Sequence, residues 1–235
     1  MIDLLKNFIN NINLFIARPE FLMTSNLTKK ILVEFIGTFI LCIIICFVVI
    51  NKIEGLYGSF IVSLTLMILI YCGKSISGAH YNPAVTISIY YRGYCSKREL
   101  QYYVFFQLIG SVTASILYYY LIIPVNANYE IFELNMSALI SEFIFTFLLV
   151  SVILNVATLD ATEGNYYFGF AIAFVVFLGG ILVGDISLAS FNPAVTSALI
   201  LTGKINLLDS WIHIIPQLLS ALLATFLFKF YHKIN

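Results

Sequence analysis

The sequence predicts an all-α integral membrane protein: six transmembrane helices plus two re-entrant half-helices in an inverted repeat. Three observations carry that prediction. The 235-residue chain is 61% hydrophobic and only 10% charged, where a soluble domain carries about a quarter charged residues. The pentapeptide Asn-Pro-Ala-Val-Thr occurs twice, at Asn82–Thr86 and at Asn192–Thr196. The stretch Glu34-Phe-Ile-Gly-Thr-Phe-Ile-Leu41 matches Glu142-Phe-Ile-Phe-Thr-Phe-Leu-Leu149 at six of eight positions.

Taken in order, residues 1–26 form an N-terminal segment with Leu5, Phe8, Ile9, Ile12 and Ile16 at helical spacing. That pattern suits a short helix in the membrane interface or a partly ordered cytosolic tail. Residues 27–235 form one membrane domain, with halves at about 31–123 and 138–230. A crossing helix needs about 20 apolar residues. Such runs lie at Ile31–Ile50, Tyr57–Cys72, Leu100–Ile123, Ala138–Thr158, Phe168–Gly184 and Trp211–Phe230. The stretches Asn82–Tyr91 and Asn192–Leu201 are long enough for half a crossing. Three full spans per half is an odd number, so the second half is inverted relative to the first.

Each Asn-Pro pair is a helix start. Asparagine caps the first turn by accepting a backbone N–H, and proline fits the first helical position because its missing donor is unpaired there anyway. Two such starts inside a bilayer predict two half-helices whose positive ends meet at mid-depth. Irregular backbone at that depth is tolerated where it lines a wet cavity or is buried in protein. The arrangement suits small polar molecules.

Charge sets the orientation. With both termini cytoplasmic, the inner segments hold Lys6, Arg18, Lys29, Lys30, Lys74, Arg92, Lys97, Arg98, Lys229 and Lys233, and the outer loops hold Lys52 and Lys204. Ten basic residues against two is the bias expected of a multi-pass protein with an inner N-terminus. The net charge of zero points away from nucleic acid as a partner.

The residues now on the page resemble the aquaporins, the major intrinsic protein family. Ser77-Gly-Ala-His-Tyr-Asn-Pro-Ala-Val-Thr86 looks like the family's first re-entrant loop, and Asp185 to Thr196 carries its second Asn-Pro-Ala. Glu34 and Glu142 match the glutamates of spans one and four. Tyr103-Val-Phe-Phe-Gln107 with Gly110 resembles the third-span pattern, and Trp211 and Pro216 fall where the sixth span has them. The resemblance covers Ile31 to the C-terminus. It implies a passive channel for water and small neutral solutes in the plasma membrane, assembled as a homotetramer, with no cofactor, no metal and no catalytic residues. The central constriction falls to Asn82, Pro83 and Ala84 with Asn192, Pro193 and Ala194. Both asparagines are expected to turn side-chain N–H groups to a passing water, and the small alanines let the loop tips touch. Carbonyls of Gly78, Ala79 and His80, and of Ser187 to Ser190, are expected to supply acceptors along the path. Glu34 and Glu142, costly inside a membrane, are expected to support the loops by accepting backbone N–H groups, with His80 fixed beside them.

The sequence departs from the family at one place. Most members carry arginine after the second Asn-Pro-Ala, where it donates hydrogen bonds to solutes and repels cations; Val195 stands there. Spacing from the boxes puts Val62, Gly180 and Ala189 at the other three filter positions. None of the four is aromatic, histidine or charged. A wide, apolar mouth follows, with Gly180 leaving the volume a histidine ring fills in water-selective members. The expected solutes are then glycerol, urea or metalloid hydroxides. The glycerol-channel aspartate directly after the arginine position is absent; Thr196 sits there.

Other residues carry less. Cys42, Cys46, Cys72 and Cys95 have no metal-ligand spacing, and burial is expected for Cys42, Cys46 and Cys72. His213 is expected to pack at the outer interface. Enzyme function is excluded by the lack of paired carboxylates or of a nucleophile with a base. Two rivals remain: a secondary transporter, which also uses inverted repeats and broken helices, and a non-conducting structural protein of the same fold.

Overall fold

The structure is a computed structural model that describes residues 25–53, 55–122 and 131–234. Among the described residues the chain forms eight α-helices: α1 (Ser25–Ile50), α2 (Gly55–Ser77), α3 (Pro83–Arg92), α4 (Lys97–Leu117), α5 (Met136–Ala157), α6 (Phe168–Ser187), α7 (Pro193–Leu201) and α8 (Trp211–His232). Six are long and apolar enough to cross a membrane. The other two, α3 with 10 residues and α7 with 9, reach about 15 Å at 1.5 Å per residue, half of a bilayer core of about 30 Å. The fold is the six-plus-two arrangement the sequence predicts. The proposed interfacial helix over residues 1–26 lies almost wholly outside the described residues.

Helix ends run beyond the apolar stretches. Helix α1 starts at Ser25 and α2 continues to Ser77, because a helix does not stop where its side chains become polar. Helix α4 starts at Lys97 behind a capping box: the Ser96 Oγ accepts from the Glu99 N–H, and the Glu99 carboxylate accepts from the Ser96 N–H. That box satisfies two otherwise unpaired groups at once. At its other end α4 loosens into a π-turn over Tyr118–Ile122.

Packing follows the repeat. In the first half α1 lies against α2 and α4, and in the second α5 lies against α6 and α8; α2 and α6 close the bundle on one side. Each half-helix then crosses over. Helix α3 packs on α8 of the other half, with Ser88 Oγ and Thr225 Oγ1 2.7 Å apart, and α7 packs on α4, where Ser111 Oγ donates to the Ala194 carbonyl at 2.6 Å. Pro216 sits inside α8, a position that membrane helices tolerate when neighbours satisfy the freed backbone.

Glycines make room for the loop tips. The buried Tyr81 ring lies against Gly37 of α1 and Gly73 of α2, and its hydroxyl donates to the Leu69 carbonyl at 3.0 Å. A Cβ on either glycine collides with that ring. Gly37→Ala is therefore expected to destabilise the protein by about 1–3 kcal/mol, the usual cost of overpacking. A thermal-shift measurement in detergent checks it; an unchanged midpoint contradicts the packing described.

Candidate functional site

The two Asn-Pro pairs build the centre of the molecule. Asn82 and Asn192 are the N-caps of α3 and α7, with Pro83 and Pro193 as first helical residues. Asn82 Oδ1 accepts from the Ala84 N–H, and Asn192 Oδ1 from the Ala194 N–H, both at 2.9 Å. Each amide nitrogen then reaches across to the other loop. Asn82 Nδ2 donates to the Phe191 carbonyl and Asn192 Nδ2 donates to the Tyr81 carbonyl, again both at 2.9 Å. The two half-helix starts are thereby tied tip to tip by a reciprocal pair of bonds. An asparagine amide has two N–H groups; one of each is committed to the facing loop and one remains. Ala84 and Ala194 are fully buried at this junction.

The loops are held in an unusual backbone shape. Ala79 and Tyr81 in the first loop, and Leu188, Ala189 and Phe191 in the second, have φ between 47° and 60°. Non-glycine residues pay roughly 1–3 kcal/mol for such a conformation, and it persists only where the surroundings dictate it. The surroundings here are two carboxylates with no solvent exposure. Glu34 accepts from Ser77 Oγ at 2.6 Å, the His80 N–H at 2.9 Å, the Tyr81 N–H at 2.7 Å and Gln107 Nε2 at 2.8 Å. Glu142 repeats the pattern with Ser187 Oγ at 2.8 Å, the Ser190 N–H at 3.0 Å, the Phe191 N–H at 2.7 Å and Gln217 Nε2 at 2.7 Å. Four donors converge on each carboxylate, which offsets the cost of removing its charge from water.

Sequence reasoning singled out the glutamates but did not assign Ser77, Gln107, Ser187 or Gln217 as their partners. The signal was present: Ser77 and Ser187 are 110 residues apart, as are Gln107 and Gln217 and the two Asn-Pro pairs. His80 Nδ1 lies 3.2 Å from Thr86 Oγ1. In the second half Ser190 takes the place of His80, and the imidazole comes from α8 instead: His213 Nδ1 lies 3.4 Å from Thr196 Oγ1. His213 has no solvent exposure, so the expected interfacial packing is corrected to a place in the loop-support network. Cys42 and Cys46 are buried, whereas Cys72 is exposed, contrary to expectation, because it falls on the outward face of α2.

Among the described residues, cavities flank the loop tips on both sides, called inner for the one toward the start of α1 and outer for the one toward its end. The inner one, of about 240 Å³, is lined by Lys30, Glu99, His80, Asn82, Asn192 and Val195 among others. The outer one, of about 120 Å³, includes Ser59, Gly180, Asp185 and Lys204 in its wall. Ile45, Val62, Val176 and Ala189 belong to both. The boundary between the cavities is thus an aliphatic ring, and Ile45 and Val176 are members that spacing from the boxes did not find. Of the four positions expected at the filter, Val62 and Ala189 stand on the ring, Val195 on its inner side and Gly180 on its outer side. The volume expected at Gly180 is partly filled: a Cβ there falls 2.5 Å from Ser59 Oγ. Helix α2 closes over this position, so Gly180 is a helix contact as well as a wall of the cavity.

At the inner mouth, Lys30 Nζ pairs with Glu99 Oε1 at 2.6 Å, and the Lys74 ammonium lies 3.4 Å over the Phe168 ring. Arg92 closes the C-terminal end of α3 by donating from Nη2 to the Thr158 carbonyl at 2.9 Å and from Nε to Thr158 Oγ1 at 3.2 Å.

Six spans, two half-helices joined at their positive ends and cavities on both sides of the junction define a membrane channel for water and small solutes. The comparisons with known proteins agree. A family profile described as Major intrinsic protein matches residues 21–182 and 158–234. The chain is 32% identical over 206 residues to Nodulin-26 of Glycine max, covering 82% of this chain and 74% of that protein. It is 31% identical over 216 residues to a probable aquaporin NIP-type of Nicotiana alata, covering 86% and 77%. The solved structure of the aquaglyceroporin from Plasmodium falciparum superposes with a TM-score of 0.63 at 23% identity, covering 85% of this chain and 95% of that one; that likeness is one of fold. The chain belongs to the major intrinsic protein family.

Proposed function

We propose that this channel passes uncharged solutes larger than water, of the class of glycerol, urea and metalloid hydroxides, together with water. The observation that carries the proposal is the composition of the constriction. Val62, Gly180, Ala189 and Val195 offer no side-chain hydrogen bond, and the ring that Val62 and Ala189 form with Ile45 and Val176 is aliphatic. Water entering it gives up hydrogen bonds with no replacement. A solute with a carbon skeleton regains part of that loss by contact with the aliphatic wall.

In this reading Asn82 and Asn192 offer their remaining N–H groups to the solute's oxygen, while Pro83, Ala84, Pro193 and Ala194 shape the tips. The positive ends of α3 and α7 raise the energy of any cation at the centre. Glu34 and Glu142, with His80, hold the loops. Residues 27–235 form the channel domain. Both termini lie on the cytoplasmic side of the plasma membrane, as the basic residues indicate, and four copies assemble with one pore each. Passive conduction predicts non-saturating, proton-independent flux, which separates it from a secondary transporter.

Proteoliposomes test the solute class by stopped-flow flux of water, glycerol, urea and arsenite on one preparation. Val195→Arg is expected to lower glycerol and urea flux about tenfold relative to water, the size of effect that one well-placed filter contact commands. A glycerol-to-water ratio unchanged by the substitution overturns the reading of the filter.

A further inference from the structure

We propose that Ile45 of α1 is a specificity-determining residue of this channel: its side chain sets the width of the broadest neutral solute that crosses the aliphatic ring. The proposal rests on the reading of the chain as a neutral-solute channel and names the part that limits it.

Ile45, Val62, Val176 and Ala189 line both cavities, so a solute moving from one cavity to the other passes all four. They differ in bulk. Ala189 contributes a methyl group, the two valines an isopropyl group each, and Ile45 the largest side chain of the ring. Ile45 is 7% exposed and packs in the apolar core, yet it forms part of the wall on both sides of the boundary. None of the four side chains carries a polar atom. The ring therefore sorts solutes by cross-section and not by hydrogen bonding to side chains.

The ring has little freedom to widen. Ile45, Val62 and Val176 lie within α1, α2 and α6, and a β-branched side chain in a helix keeps one strongly preferred χ1 rotamer. On α1, Cys42 and Cys46 flank Ile45 with no solvent exposure, so the helix is packed on both sides of it. Ala189 is fixed by the loop. It is held at a φ of 47°, its N–H donates to Ser187 Oγ at 3.2 Å, and that hydroxyl donates to Glu142 at 2.8 Å. Side-chain size, not rotamer motion, thus sets the aperture, and the largest member sets it most. The alternative is that Ile45 only packs α1 into the core. Under that reading a shorter side chain lowers thermal stability and leaves the relative fluxes of solutes untouched.

Glycerol, tris(hydroxymethyl)ethane and pentaerythritol separate the two readings, because they share hydroxymethyl chemistry and grow broader by branching at the central carbon. Proteoliposomes of wild type, Ile45→Val, Ile45→Ala and Ile36→Ala are compared for these three solutes, urea and water. Ile36 lies on the same helix and is 43% exposed, so Ile36→Ala makes the same truncation on the outward face. The tris(hydroxymethyl)ethane-to-glycerol flux ratio is expected to rise about tenfold in Ile45→Ala, the effect of a methylene or two in an apolar fit. It is expected to rise less in Ile45→Val and to stay at the wild-type value in Ile36→Ala. A ratio unchanged in Ile45→Ala, with water flux as proof of an open channel, overturns the proposal. So does an equal rise in Ile36→Ala, which marks general loosening. If Ile45→Ala conducts no water, the ratio in Ile45→Val decides in the same way. If wild type passes water but neither urea nor glycerol, the neutral-solute reading fails. Urea flux gained in Ile45→Ala then upholds the role of Ile45, and none gained overturns it.

Discussion

Glu34→Ala is expected to abolish solute flux and to lower the stability of the solubilised protein by about 3 kcal/mol or more, the range for removing one partner of a buried charged cluster. The substitution leaves the N–H groups of His80 and Tyr81 and the amide of Gln107 without their acceptor. Each orphaned donor costs roughly 1–3 kcal/mol. Ala79 and Tyr81 then lose what holds them at positive φ, and the loop relaxes toward ordinary backbone. Glu34→Gln is expected to be milder. Its carbonyl still accepts from two donors, and its NH₂ can donate to Ser77 Oγ but opposes the remaining N–H. The repeat makes Glu142→Ala and Glu142→Gln behave alike. Thermal unfolding with paired flux measurements checks the series; wild-type flux in Glu34→Ala removes the carboxylate from any part in shaping the loop.

Asn192→Asp is expected to be the second most damaging change. The aspartate still caps α7 through one oxygen, so the half-helix start survives. Its other oxygen faces the Tyr81 carbonyl at the place where an N–H donated at 2.9 Å. Two acceptors at that distance repel, and a negative charge enters the buried centre, offset there only in part by the positive ends of α3 and α7. Neutral-solute flux is expected to fall about tenfold or more while the helix content by circular dichroism stays near wild type, because the loss of one buried contact of about 1.4 kcal/mol or more is enough for that factor. Asn192→Ala separates the effects: it removes the tie and the cap without adding charge. Equal flux in Asn192→Asp and wild type rules out the cross-loop bond as a determinant of the open pathway.

Much of this architecture is legible in the chain. The spans are visible because a bilayer demands long apolar runs, and the half-helices because Asn-Pro is a start signal with a physical cause. Helix ends were less visible: α2 and α4 extend beyond their apolar stretches into residues whose hydropathy says nothing, though the Ser96–Glu99 box was there to be read. The serine and glutamine partners of the glutamates were hidden because buried polar residues look, in sequence, like any others. Only the 110-residue offset of the repeat exposes them. His213 was misplaced for a related reason. Its neighbour Trp211 reads as an interface residue, and a helix turns its next two positions away, so proximity in sequence misled. At Gly180 composition suggested space, and only the approach of Ser59 from α2 shows that a neighbouring helix takes part of it. The aliphatic ring itself combines residues from α1, α2, α6 and the second loop, a grouping that no local pattern announces.

The two kinds of bond at the loop tips differ in when they can form. Every partner of Glu34 lies within its own half, none farther along the chain than Gln107. The asparagine ties instead join residues 109 and 111 positions apart. On the ribosome, every residue of the first cradle is made while Phe191 is still unmade, and at about 5–20 residues per second the Asn82 amide waits on the order of ten seconds for its acceptor. A nascent chain arrested between the halves therefore holds all the parts of one carboxylate nest and an unclosed mouth, and the centre of the conduit is among the last parts of the protein whose partners come into being.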